Sequence, residues 1–122
     1  MSQPKVFNVL RGDAASTRTS PHGVVGEVFS GEGIEVVWVA KQDEEIDSSW
    51  FSQGTVDVIL VVQGRLRVEF ASPELDSLTL DPGEALVLPA DMECRAYRWP
   101  REAAEATIFV AAYPQAKGRP VA

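Results

Sequence analysis

Between Gly54 and Trp99 the chain reads GTVDVILVVQGRLRVEFASPELDSLTLDPGEALVLPADMECRAYRW, and every break in that stretch is a turn, so no gap holds a long helix. Val56 to Gln63 is an almost unbroken apolar, β-branched run, and Gly64 follows where a tight turn is wanted. This spacing predicts a strand that enters a hairpin. After the glycine, Leu66, Val68 and Phe70 alternate with Arg65, Arg67 and Glu69, the pattern of a half-buried strand. Leu78 to Leu80, the Asp81-Pro82-Gly83 turn, and Ala85 to Leu88 closed by Pro89 add two further strands. The pattern is that of an all-β barrel.

At 122 residues the chain is expected to form one domain, residues 1–113, with a core large enough to need no staples, followed by a C-terminal arm, 114–122. The single cysteine allows no internal disulfide. With no apolar leader in Met-Ser-Gln-Pro-Lys, a reducing cytoplasmic setting is the expectation. No run approaches the ~18 apolar residues of a membrane helix, and a formal charge of −7 with dispersed basic residues repels phosphate backbones. Membranes and nucleic acids are therefore not expected partners.

Towards the N-terminus, Val6 to Leu10 reads as a short strand and Arg11 to Gly23 as an irregular surface loop holding the one histidine, His22. Val24 to Phe29 and Ile34 to Ala40 read as two strands joined by Ser30-Gly31-Glu32-Gly33 in a hairpin. Lys41 to Ser49 carries Asp43, Glu44, Glu45 and Asp47 without the ordered spacing of a calcium loop, so it reads as a solvated acidic loop. Near the C-terminus, Thr107 to Tyr113 is β-rich and reads as the closing strand.

Alternation places Asp57, Ile59, Val61 and Gln63 on one face and Val56, Val58, Leu60 and Val62 on the other, both mainly apolar. A carboxylate among such neighbours must be paired, hydrogen-bonded or neutral. Asp57 therefore either bonds locally to turn amides or faces a ligand. On the later strand Cys94, Ala96 and Arg98 share one face, and Glu93, Arg95, Tyr97 and Trp99 the other. Two apolar faces also call for a cover on the outer one, and a homodimer packed through sheet surfaces is expected.

These residues resemble the cupin family. Its first motif is a metal-binding His-x-His, then a Glu, then six residues and a Gly; here Asp57 stands in the Glu place before Gly64. In the second motif Gly83 and Pro89 match, while Asp91, Cys94 and Arg98 replace a Gly, the metal-binding His and an Asn. The first-motif histidines fall on Trp50 and Ser52 or on Phe51 and Gln53, depending on a one-residue gap, and neither pair binds a transition metal. The resemblance implies a double-stranded β-helix, or jelly-roll, barrel and a homodimer. It also places the strand of Cys94 and Arg98 across the interior from Asp57, where Arg98, or failing it Arg95, compensates the carboxylate. The expected function is a metal-free small-molecule-binding or regulatory barrel without cofactor, whose candidate ligand-facing residues are Trp50, Ser52, Asp57, Cys94 and Arg98. The alternative is a metal-independent isomerase or epimerase moving protons with His22, Asp57 and Tyr97, and a metal-dependent oxygenase fits worst.

Overall fold

The computed structural model describes residues 3–42 and 44–115. Asp43 and the part of the expected C-terminal arm from 116 onward lie outside the described residues. Nine strands form two antiparallel sheets facing each other: β1 (Ser16–Ser20), β2 (Gly23–Gly31), β3 (Ile34–Lys41), β4 (Asp57–Gln63), β5 (Arg65–Phe70), β6 (Leu78–Leu80), β7 (Ala85–Leu88), β8 (Cys94–Trp99) and β9 (Thr107–Pro114). One sheet runs β1-β2-β3-β9-β4-β7 and the other β6-β5-β8. The expected β2–β3 hairpin is present, with Val25 opposite Val39. β9, expected to close the barrel, lies inside the larger sheet between β3 and β4. Its last residue, Pro114, pairs with Ile34, and the Gln115 amide donates to the Gly33 carbonyl, so the arm's first two residues are tied to the β2–β3 turn.

Three expectations fail. β4 and β5 are not a hairpin: β4 pairs with β7 and β9, and β5 with β6 and β8. Gly64, in the left-handed region at φ +69°, turns the chain through a corner from one sheet to the other. An added Cβ there would meet Thr107 Oγ1 at 3.0 Å and the Ala106 carbonyl oxygen at 3.2 Å, so the close approach of β9 requires glycine. Val6 to Leu10 is not a strand. Val9–Arg11 is a single 3-10 turn whose Arg11 amide donates to the Asn8 side chain, and Val6 is 92% exposed with no strand to pair with. Within the segment read as a loop, Ser16–Ser20 pairs along its whole length with β2. It is a polar edge strand held by backbone bonds rather than by burial, so hydrophobic alternation does not mark it.

The core sits between the sheets near the Gly64 corner, where Val61, Leu66 and Val68 are at most 1% exposed. On the outer face of the larger sheet the Trp38 indole N–H donates to the Asp13 carbonyl at 2.8 Å, and the ring lies over Gly26, where an added Cβ would come within 2.1 Å of it.

Candidate functional site

Strand alternation places Val25 of β2, Val37 and Val39 of β3, and Phe109 and Ala111 of β9 on the inward face of the larger sheet. Asp57 and Ile59 of β4 continue that row, since Ile59 lies opposite Ala111 and Asp57 opposite Leu88. These side chains wall a cavity of about 370 Å³, within the size range of small-molecule sites. Its other walls come from Phe51, Gln53, Cys94, Ala96 and Tyr97, and its polar rim from the His22 turn, the Glu44 to Ser49 loop and Arg101.

Asp57 faces the interior as expected and is 4% exposed. Its Oδ1 is buried with no hydrogen-bond partner among the described residues, and burial pushes its pKa up to about 6. The expected partner is elsewhere. Arg98 is buried on the inward face of β8, but its guanidinium donates to the carbonyls of Ala103, at 2.7 Å, and Arg101. The register explains this: Arg98 pairs with Leu66 next to the Gly64 corner, whereas Asp57 begins β4 at the opposite end of the strand. Cys94, at the other end of β8, reaches the cavity beside Asp57, and four residue steps along the strand separate it from Arg98 by roughly 13 Å. Arg95 does not serve either. Its Nε donates to Glu69 at 2.8 Å, and the guanidinium stacks on Trp50 at 4.3 Å.

Of the other expected ligand-facing residues, Cys94 lines the cavity, while Trp50, Ser52 and Arg98 do not. The Trp50 ring is taken up by Arg95, and Ser52 is exposed. Phe51 and Gln53 occupy the wall instead, because the Phe51–Cys94 bridge turns the odd-numbered side chains of this segment inward. His22, Asp57 and Tyr97 share the cavity wall. The Tyr97 hydroxyl donates to Glu69 at 2.9 Å, and His22 Nδ1 lies 3.4 Å from Asp47. Burial, then the Glu69 bond, raises the Tyr97 pKa, and the Arg95 and Tyr97 bonds lower that of Glu69.

Lys41, read from the sequence as the start of the solvated acidic loop, is instead the buried last residue of β3 and part of the cavity wall. It is 7% exposed, and the signal for it was available, because Val37, Val39 and Lys41 continue one inward alternation past the last apolar residue of β3. Desolvation lowers its pKa, outweighing the pull of Glu44 and Asp47.

No family model matches the sequence, and no curated protein does. Solved structures do. A candidate mannose-6-phosphate isomerase from Ralstonia eutropha superposes with a TM-score of 0.70 at 19% identity, over 93% of this chain and 100% of that one. An RmlC-like cupin from Shewanella frigidimarina gives 0.67 at 13% identity over 97% of each chain. An RmlC-like cupin family protein with a double-stranded β-helix from Methanocaldococcus jannaschii gives 0.65 at 10% identity over 93% of each. This is the cupin fold.

At these identities the fold is what is shared, and the site must be read from its own residues. The four cupin-motif positions that line this cavity are Phe51, Gln53, Asp57 and Cys94. They do not fit a transition metal. A phenyl ring donates nothing, an amide is a weak ligand, and burial, with the Asp57 charge next, pushes the Cys94 thiol up to about 11, so the thiolate that a metal requires is disfavoured. Among the described residues no three His, Cys, Asp or Glu side chains come together elsewhere. No described helix is long and apolar enough to cross a membrane.

Proposed function

We propose that this cupin barrel binds a small, partly apolar molecule in its interior without a protein-held metal. The observation that carries the reading is the cavity of about 370 Å³ with the Asp57 carboxyl buried in its wall. A carboxyl removed from water with an unpartnered oxygen is costly, and a ligand hydroxyl or amine beside it offsets that cost. Valine, isoleucine and phenylalanine side chains provide the apolar contact, and Asp57 and Gln53 provide orientation.

A thermal-shift screen with small hydroxylated and amine-bearing metabolites tests it. A true ligand at about a hundred times its Kd adds about 2.7 kcal/mol of stability, and Asp57→Ala removes most of the shift. A screen with no saturable hit, or hits unaffected by Asp57→Ala, rules the reading out. Elemental analysis of protein purified without chelators is expected to find far less than one transition metal per chain.

The second reading is a metal-independent isomerase. It is favoured by a carboxyl whose pKa of about 6 suits proton transfer near neutrality, on the same wall as His22. Solvent deuterium appearing in a bound ligand, and lost with Asp57→Asn, distinguishes it from binding alone.

A further inference from the structure

Lys41 ends β3 opposite Thr107 of β9 and projects into the cavity with 7% exposure. No hydrogen bond or ion pair of its amine is found among the described residues. The charged and titratable groups acting on it are Glu44 and Asp47 from the β3–β4 loop, Arg101 from the β8–β9 connection and Cys94 from β8. The two acids are engaged elsewhere: the Glu44 carboxylate accepts from the Gln42 amide at 2.9 and 3.0 Å, and Asp47 accepts from the Ser49 amide and hydroxyl. Arg101 adds a second positive charge to the same wall, its guanidinium lying over the Tyr97 ring at 5.6 Å.

A lysine kept for solubility or packing carries its ammonium out to water. Lys41 instead ends inside a ligand-sized space, where lost solvation and a neighbouring guanidinium both favour the neutral amine. An amine on the wall of a small-molecule cavity, with desolvation shifting it toward the neutral form, is placed to act as a nucleophile for carbonyl carbon.

We propose that Lys41 captures ligands bearing an aldehyde or ketone by forming an imine with them inside the barrel. The inference rests on the reading that the cavity takes small molecules. Nζ attacks the carbonyl carbon and a C–N bond forms as the C=O π pair moves to oxygen, which takes a proton from the nitrogen. The carbinolamine then loses that oxygen as water, carrying away the second nitrogen proton and leaving C=N. The condensation changes no oxidation state and needs no co-reactant. The apolar wall of Val25, Val39 and Phe109 limits the water that would reverse it.

The test is site-resolved reductive trapping. The folded protein is incubated with propionaldehyde and sodium cyanoborohydride at about neutral pH, and adducts are followed by peptide mass spectrometry, with the exposed Lys5 as internal reference. Lys41 is expected to label severalfold faster than Lys5, because the cavity holds the aldehyde beside its amine. Lys41→Arg, which keeps the stem and charge, removes that adduct alone and leaves Lys5 labelling unchanged. Labelling of Lys41 no faster than Lys5 overturns the inference. The two readings fail separately: saturable thermal-shift hits with a slow Lys41 leave binding intact and remove imine capture, whereas fast Lys41 labelling with no thermal-shift hit does the reverse.

Discussion

Asp57 holds its proton to about pH 6 because the β4 and β7 side chains around it exclude water and no described cation answers its charge. Its ordinary value is 3.8, so between about pH 4 and pH 6 the native state binds a proton that the unfolded chain has released. The stability linked to this group is therefore fully present below about pH 4, falls as the pH rises to about 6, and stays low above that. The loss amounts to about 2–3 kcal/mol. Urea unfolding of wild type and Asp57→Asn at about pH 4 and about pH 7 checks this: wild type should lose about 2–3 kcal/mol more across the interval than the variant, and equal losses would remove the buried carboxyl from the account. Asp57 was legible in the sequence as a carboxyl among β-branched neighbours. That neither Arg98 nor Arg95 reaches it was not legible, because strand alternation gives the face a residue occupies but not its height along the barrel.

At the scale of elements, two features place the site. Arg98 ties the end of β8 to the connection before β9 through the carbonyls of Ala103 and Arg101. Arg98→Met should cost about 1.5–3 kcal/mol, as expected for bonds from a charged donor, and the loss should add to that of Asp57→Asn, because the two side chains share no partner. Coupling beyond about 0.5 kcal/mol in that double-mutant cycle would restore the ion pair that the geometry denies. The Gly64 corner is the second feature. Gly64→Ala places a Cβ in the left-handed region against the Ala106 carbonyl oxygen at 3.2 Å, and a cost of about 1–3 kcal/mol in denaturant unfolding is expected. The sequence marked this position as a turn because Gly-after-apolar-run is a turn signal. It could not show which strand came next to β4, since a hairpin and a sheet-to-sheet corner use the same glycine.

At the scale of the whole molecule, the outer face of the larger sheet bears an exposed apolar patch. Val58 and Leu60 are each 38% exposed and Val87 60%. Val58 lies directly between Val87 and Ala112, and Leu60 beside Val110, so the patch is continuous across three strands. Trp38 and the Asp13 segment cover the face only farther along. A second copy packed on this apolar patch is the expected cover, giving twice the monomer mass by light scattering at micromolar concentration. Leu60→Lys should return it to the monomer mass, since a buried lysine without a partner opposes association. A wild-type monomer at that concentration would show that the face stays open to water.

Composition and pattern alone settled the all-β class, the β2–β3 hairpin and the run of strands from β4 to β8, because these follow from local periodicity and turn chemistry, whereas both faces of β4 are apolar and left the direction of Asp57 open. Sheet membership, the polar edge strand β1, the insertion of β9 between β3 and β4, and the company Asp57 and Arg98 keep depend on contacts between residues far apart in the chain. Local periodicity fixes which face a residue occupies but does not say which distant strand it pairs with or where along that strand it sits. Lys41 belongs to both accounts: its place on the inward face of β3 is written in the Val37, Val39, Lys41 alternation, while the loss of water that gives its amine chemistry comes from β9, the β3–β4 loop and Arg101 closing around it.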